Sequence, residues 1–406
     1  MPMSPSFHFI LFRIQRHAKS FKEILELADI RYVKSSFQIS DQGNKKIMSL
    51  TSTKQKIIIG INFGLCLLLL NLCLTNMAVG ASKQELVYLS WSEYIDPELI
   101  KNFEKEFNCI VREFYYETDE MKDEFLIERD GSGYDVVLSS GMSILAYIKR
   151  NWVAPLNPQD IPNLKYIDPK WNNREPRLIG YAVPYLWGTI GIAYRRDLIP
   201  AEINSWRQLF QPAEYLKNRI VMLKDSRETV GLALKSLGHP INSTNIRHYN
   251  EAEQLLLAQK PFVKTYSYIS FSEDSFMVTG EAWMVMIYNG DALWLQERHP
   301  QISYSVPQEG TLLWMDYLVV MQNSKNKKLA FEFINYIQQP QNSARNSESL
   351  YFANPNKAAE KLLPKEILEN PAIYPDPSVL DRSEFVRELP AKIVKKRNEV
   401  FARVIQ

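Results

Sequence analysis

From Leu86 onward the chain alternates short apolar runs with amphipathic stretches, and that alternation restricts its fold more than any other feature. Leu86–Trp91 (LVYLSW) reads as a buried strand. Behind it Asp96 suits a helix N-cap and Pro97 the first turn, and Leu99, Ile100, Phe103 and Phe107 make one apolar face of a helix over 96–107. A strand at Ile110–Tyr115 follows, then a helical stretch over 120–128 and the turn Gly131-Ser-Gly133. Tyr134–Leu138 is the next strand, and Ser139-Ser-Gly141 leads into a helix over 144–150. Such alternation predicts an α/β fold with a mostly parallel sheet and right-handed crossovers. Further on, 181–194 reads as extended chain broken at Pro184 and Gly188. Strands are expected over 219–223, 282–287 and 312–321, with helices over 229–237, 328–337 and 391–404.

The ends of these strands carry the chemistry. In open α/β sheets ligands bind beyond the carboxyl ends of the strands. There the sequence sets Trp91, Ser92, Glu93 and Tyr94 together, and it repeats a pairing of ring and acid at Tyr288 with Asp291 and at Trp314 with Asp316. Asp225 and Glu228 add two more carboxylates after the strand at 219–223. Rings attract positive charge and carboxylates neutralise it, so the set suits an organic cation. A structural reading also stands for each. Trp91 and Tyr94 could cover the end of the sheet, Ser139 and Ser140 could cap a helix, and Asp225 with Glu228 has the form of a capping box. Four acid-bearing strand ends in one chain favour a cation-binding cleft over four coincidences.

Composition divides the chain. Residues 1–81 carry ten Lys and Arg against four Asp and Glu, a net of +6, so the rest is net −4 within a total of +2. A mildly acidic working part argues against nucleic acid and permits a cationic ligand. Lys54 and Lys56, the uncharged run 57–74 and Ala78-Val-Gly-Ala81 together have the layout of a secretory signal, with a start at Met48 and a cut after Ala81. The same run is long enough to serve as an uncleaved anchor. Cys66 and Cys73 each follow a Leu, which disfavours lipid attachment, and only Cys109 remains beyond the leader, so no disulfide framework is expected. With 406 residues, two domains are expected. His239, His248 and His299 lack partners at metal-ligand spacing. P-loop, dinucleotide and nucleophile-elbow motifs are absent as well. Neither metal, cofactor nor catalytic activity is expected, and a glycoside-type hydrolase is the minor alternative.

Residues 84–406 resemble the polyamine-binding proteins that serve bacterial ABC importers for spermidine and putrescine. The resemblance rests on Trp91-Ser-Glu-Tyr94, Tyr134–Ser140, Val183–Thr189, Asp225-Ser-Arg-Glu228, Tyr288-Asn-Gly-Asp291, the stretch from Glu309-Gly to Asp316, and Tyr351–Asn356. It implies a periplasmic, monomeric, two-lobe solute-binding protein of the Venus-flytrap type II class, each lobe a mixed, mostly parallel sheet flanked by helices. The lobes expected are 82–191 with 315–355, and 192–314 with 356–406. By position, Trp91, Tyr94, Tyr288, Trp314 and Tyr351 become an aromatic box. Glu93, Asp225, Glu228 and Asp316 become partners for amines, and Ser140 a polar contact. Asp291 falls where putrescine-preferring relatives also place an acid. The sequence departs from the pattern at Met142, where a spermidine-type site carries Tyr, at Tyr288, where relatives carry Trp, and at Val386, near an expected Gln contact. Expected partners are a polyamine and the permease subunits of an ABC transporter. Two alternatives are a receptor for another cationic or small polar solute and a membrane-anchored polyamine sensor.

Overall fold

The apolar strands of the sequence become the spine of the molecule. A computed structural model describes residues 83–406, so the expectations for the leader, its signal or anchor segment and its cysteines lie outside the described residues. The strands are β1 (Gln84–Trp91), β2 (Cys109–Tyr116), β3 (Val136–Ser140), β4 (Ala182–Arg195), β5 (Ile220–Met222), β6 (Val263–Tyr266), β7 (Met284–Tyr288), β8 (Ile302–Ser305), β9 (Leu312–Val320) and β10 (Glu384–Phe385). Their order is β2-β1-β3-β9-β4-β7-β5-β6, with β10 beside β9 and β8 beside β4. Strands β2, β1 and β3 are parallel, as are β7, β5 and β6. The antiparallel strands β9 and β4 join these two groups.

The longer helices are α1 (Pro97–Glu106), α2 (Asp119–Glu128), α3 (Gly141–Lys149), α4 (Ser226–Ser236), α5 (Ile246–Gln259), α6 (Asn289–Arg298), α7 (Lys327–Ile337), α8 (Pro340–Leu350) and α9 (Ala391–Ile405). Each follows a strand or covers a sheet face. Asp96 caps α1 by accepting from the Glu98 backbone N–H at 2.8 Å, and Leu99, Ile100 and Phe103 are buried, as the sequence pattern predicts. No helix among the described residues is long and apolar enough to cross a membrane.

Both faces of the sheet are covered, which explains why its strands read as continuous apolar runs. On β1, Leu86 and Tyr88 enter one core with Phe103, Val136, Leu318 and Phe333, while Leu89 enters the opposite core with Val137, Val319 and Trp187. The β7 end repeats the division: Ile192, Met222 and Met286 lie on one side, Ala193, Val221 and Ile287 on the other. Cys109 is buried in the first of these cores.

One reading changes. Residues 182–195 form one strand, with only a register shift between Pro184 and Leu186, where proline cannot donate to the ladder. Gly188 does not break it. Residues 182–189 pair with β9 and residues 190–194 with β7, so β4 runs through both parallel groups. The tail divides its apolar residues between two cores. Ala359, Leu363, Ile367 and Ile373 join the core of Leu89 and Val137, whereas Ile393, Val400 and Val404 join that of Ile192 and Met222. Phe385 still packs against the first of these two cores, and α9 belongs to the second.

Candidate functional site

Where β4 and β9 join the two parallel groups, a cleft of about 2360 Å³ opens. Trp91, Ser92, Glu93, Tyr94, Ser140, Asp225, Glu228, Tyr288, Asp291, Trp314, Asp316 and Tyr351 all line it. The fold thus brings every sequence-derived candidate to one set of walls, although the two ends of that set lie far apart in the chain.

The centre is the indole of Trp314 on β9. It meets Phe352 edge-on at 4.8 Å between ring centroids, Tyr288 edge-on at 6.1 Å and Tyr94 at 6.5 Å. Trp91 sits against Tyr116 at 4.5 Å. The loop bearing Tyr94 is held from below: the Tyr185 hydroxyl donates to the Tyr94 carbonyl at 2.7 Å, and Asn346 donates to the Tyr185 hydroxyl at 2.8 Å. Gly188, paired with Trp314 across the ladder, leaves room for the indole. A Cβ there would stand 2.5 Å from the Trp314 ring and 2.3 Å from Asn289 Oδ1, which accepts the Thr189 N–H. Gly188→Ala is therefore expected to cost about 1–3 kcal/mol of stability through overpacking and to displace Trp314, read by denaturant unfolding together with tryptophan fluorescence. An unchanged midpoint and spectrum would show that the indole has slack.

Four carboxylates stand around these rings in different states. Asp316, two residues beyond Trp314, is on the same face of β9 and opposite Ser140. Burial, followed by the charge of Asp119, pushes its carboxyl up to about 7 against the pull of Lys122 and the Tyr94 hydroxyl. Glu228 is 9% exposed. It accepts from the Tyr288 hydroxyl at 2.5 Å through Oε1, while Oε2 is buried without a hydrogen-bond partner among the described residues. Burial and then the neighbouring Asp225 charge push it up to about 8. Asp291, in the first turn of α6, is raised to about 7 by burial and has no hydrogen bond or ion pair among the described residues. Glu93 is exposed on the cleft wall and holds a left-handed backbone at φ 57°, strained for a residue with a Cβ.

Asp225 is occupied otherwise. It caps α4, accepting from the backbone N–H of Arg227 at 2.6 Å and of Glu228 at 3.2 Å. It also pairs with the Arg227 guanidinium at 2.9 Å. The capping role read from the sequence and the position on the cleft wall are both real. Ser140 stands at the N-cap position of α3 but makes no side-chain cap bond, and its buried hydroxyl has no hydrogen-bond partner among the described residues. Tyr351 ends α8 in a left-handed conformation, and its carbonyl accepts from Asn289 at 3.1 Å.

Sequence reasoning missed Tyr116, Asp119, Arg227, Tyr268 and Phe352, which also line the cleft. Arg227 reaches across from α4 to Asp119 on α2 at 3.2 Å, and Asp119 also pairs with Lys122, which is fully buried. Burial pushes the Asp119 carboxyl up, but Lys122 and Arg227 outweigh it and leave it below the usual range. This alternating chain, Lys122–Asp119–Arg227–Asp225, carries no net charge. No local pattern reveals it, because Asp119 and Arg227 are 108 residues apart. Phe352 had a visible signal in Gly290, where a Cβ would meet its ring at 2.3 Å. Met142 and Val386, two of the departures from the family pattern, are on the walls as well. Among the described residues no cluster of side chains could hold a metal ion.

Comparison with known proteins agrees with this geometry. The family model described as bacterial extracellular solute-binding protein matches residues 98–375. The spermidine/putrescine-binding periplasmic protein of Salmonella typhimurium is 30% identical over 323 residues, covering 78% of this chain and 91% of that protein. The putrescine/cadaverine-binding protein of Pseudomonas aeruginosa is 27% identical over 355 residues, covering 83% and 98%. The crystal structure of a spermidine/putrescine ABC transporter substrate-binding protein from Streptococcus pneumoniae superimposes with a TM-score of 0.71 at 28% identity, covering 79% of this chain and 98% of that one. Sheet order, interior cleft and family match converge: the chain belongs to the bacterial extracellular solute-binding proteins, which hold their ligands without transforming them.

Proposed function

We propose that the protein captures a linear polyamine, putrescine or spermidine, between two lobes outside the cytoplasm and presents the closed form to an ABC permease. The observation that carries this reading is the Trp314 corner, where a box of rings adjoins Asp316 and Glu228, two acids that form no ion pair among the described residues. Rings grip methylenes, and acids set apart from one another measure the spacing of ammonium groups. The relatives named for putrescine and spermidine support the ligand class. The lobes we propose follow the packing: β1–β3 with the outer part of β9, α7, α8 and the tail to about residue 385 form one, and β5–β8 with α4–α6 and α9 form the other. Strands β4 and β9 act as the hinge.

Magnitudes favour this division of labour. Burying four methylenes at about 0.8 kcal/mol each contributes roughly 3 kcal/mol, short of the roughly 8 kcal/mol a micromolar receptor needs. Ammonium–carboxylate hydrogen bonds at about 1.5–3 kcal/mol each and cation–π contacts at about 0.5–2 kcal/mol supply the remainder. In this scheme Glu228, Asp316, Asp291 and Glu93 receive ammonium groups. Trp91, Tyr94, Tyr288, Trp314 and Tyr351 enclose the chain, and Ser92 and Ser140 add polar contacts. Asp225 serves through its cap and its pair with Arg227, holding Glu228 in place. Closure over a polycation relieves acids that burial disfavours, so ligand and closed form stabilise each other.

Mass spectrometry of small molecules that co-purify with the exported protein, followed by thermal-shift screening of diamines, triamines, amino acids and sugars, tests the reading. A shift confined to an amino acid or a sugar would reject the polyamine.

A further inference from the structure

Residues 267–275, between β6 and the short helix at Phe276–Thr279, carry two large aromatic side chains toward the cleft. Tyr268 is 43% exposed and Phe271 is 39% exposed, yet both line it. Exposed rings facing a cavity whose floor is itself made of rings leave apolar surface uncovered, a mark of a surface that meets a ligand. Phe271 rests on Trp294 of α6 at 5.1 Å. Tyr268 lies nearly parallel to Tyr288, at 11° and 6.4 Å between centroids, and Tyr288 in turn meets Trp314. The row of rings that begins at Phe352 therefore continues through Trp314 and Tyr288 to Tyr268 at the solvent side.

The segment is tied at its start, where the Ser267 N–H donates to the Met222 carbonyl at 2.9 Å, and it closes on itself in a turn, where the Ser275 N–H donates to the Ser272 carbonyl at 2.9 Å. Among the described residues, 268–271 make no backbone hydrogen bond to another element. Local opening of such a stretch disrupts few interactions, as an element that admits a ligand requires. Burial, and then the charges of Glu228 and Asp225, push the Tyr268 phenol up and hold it in its neutral form.

We infer that Tyr268 is a ligand-binding residue in its own right, the outer wall that covers the hydrocarbon of a bound diamine from the solvent side. It rests on the polyamine reading and names the residue that shields the chain once it is seated on the Trp314 floor. The ring face does the work, so the hydroxyl is dispensable. Coverage from the open side slows escape more than it speeds entry. Phe271, seated on Trp294, fixes where the segment folds down.

Calorimetric and stopped-flow titrations of wild type, Tyr268→Ala and Tyr268→Phe with putrescine and with 1,3-diaminopropane test it. Tyr268→Ala is expected to weaken putrescine binding at least tenfold, mainly through faster dissociation, and to weaken 1,3-diaminopropane less. Tyr268→Phe should stay within threefold of wild type. Because Tyr268 is 43% exposed, the ligand-free melting temperature of both variants should stay within about 2 °C of wild type. Wild-type binding with Tyr268→Ala unchanged overturns the role of Tyr268 alone. Equal losses for Ala and Phe overturn the assignment to the ring face. A wild type that binds neither diamine overturns the polyamine reading as well.

Discussion

Replacing Asp316 with alanine should weaken putrescine binding at least tenfold while making the ligand-free protein more stable at pH 8. The two effects share a cause. The carboxyl is surrounded by Trp314, Tyr94 and Ser140, and burial holds its pKa near 7, so the folded protein bears a cost whenever this group is charged. Removing it removes that cost. It also removes the acceptor of a charge-assisted hydrogen bond, worth about 1.5–3 kcal/mol, which corresponds to roughly 10- to 150-fold in affinity. A residue that only braced the fold would lower stability and affinity together. Calorimetric titration with thermal melts of the same samples reads both. Unchanged affinity would exclude Asp316 from the ammonium site, and a lower melting temperature would show that its carboxylate supports the fold.

The second large effect is in pH. Asp291 and Asp316 at about 7 and Glu228 at about 8 lie far above the ordinary carboxylate range, chiefly through burial. A carboxyl raised in the folded state takes up protons that the unfolded chain has already released. Its contribution to stability is full below about pH 4 and is lost as pH rises through the folded value. The ligand-free melting temperature should therefore fall between about pH 5 and pH 8, as far as these three groups govern it. Binding runs the other way. An alkylammonium like that of lysine stays charged to about pH 10 and prefers ionised acids, so binding a diamine must release protons near neutrality. Putrescine affinity is expected to rise at least tenfold from pH 6 to pH 8.5, with proton release visible as a dependence of calorimetric enthalpy on buffer ionisation heat. A flat affinity profile with no buffer dependence would mean that the ligand contacts none of the three raised acids.

How much of this could be read beforehand depends on the range of the interaction involved. Short-range features were legible. The apolar run at Leu86, the Asp96-Pro97 start of α1 and the i, i+2 placement of Trp314 and Asp316 are all settled by residues within a few positions of each other. Asp225 was legible in both its aspects, cap and cleft wall, but the sequence could not divide its carboxylate between them. The Arg227 guanidinium that claims it is two residues away and also answers to Asp119, at the start of α2 and 108 residues distant. Gly188 misled for a related reason. A glycine in a strand suggests a break until the indole across the ladder explains the missing Cβ. Which core accepts Leu363 and Ile373 is likewise a matter of packing over long separations, which no local pattern carries.

The amino-acid order by itself determined the α/β alternation and the rings and acids delivered to strand ends, because backbone periodicity and capping are local physics. Tertiary structure alone decided which acids stand uncompensated. Glu228 and Asp316 are raised by burial, whereas Asp119 is held low by Lys122 and Arg227, and a carboxylate's state depends on the dielectric and charges that distant segments bring around it.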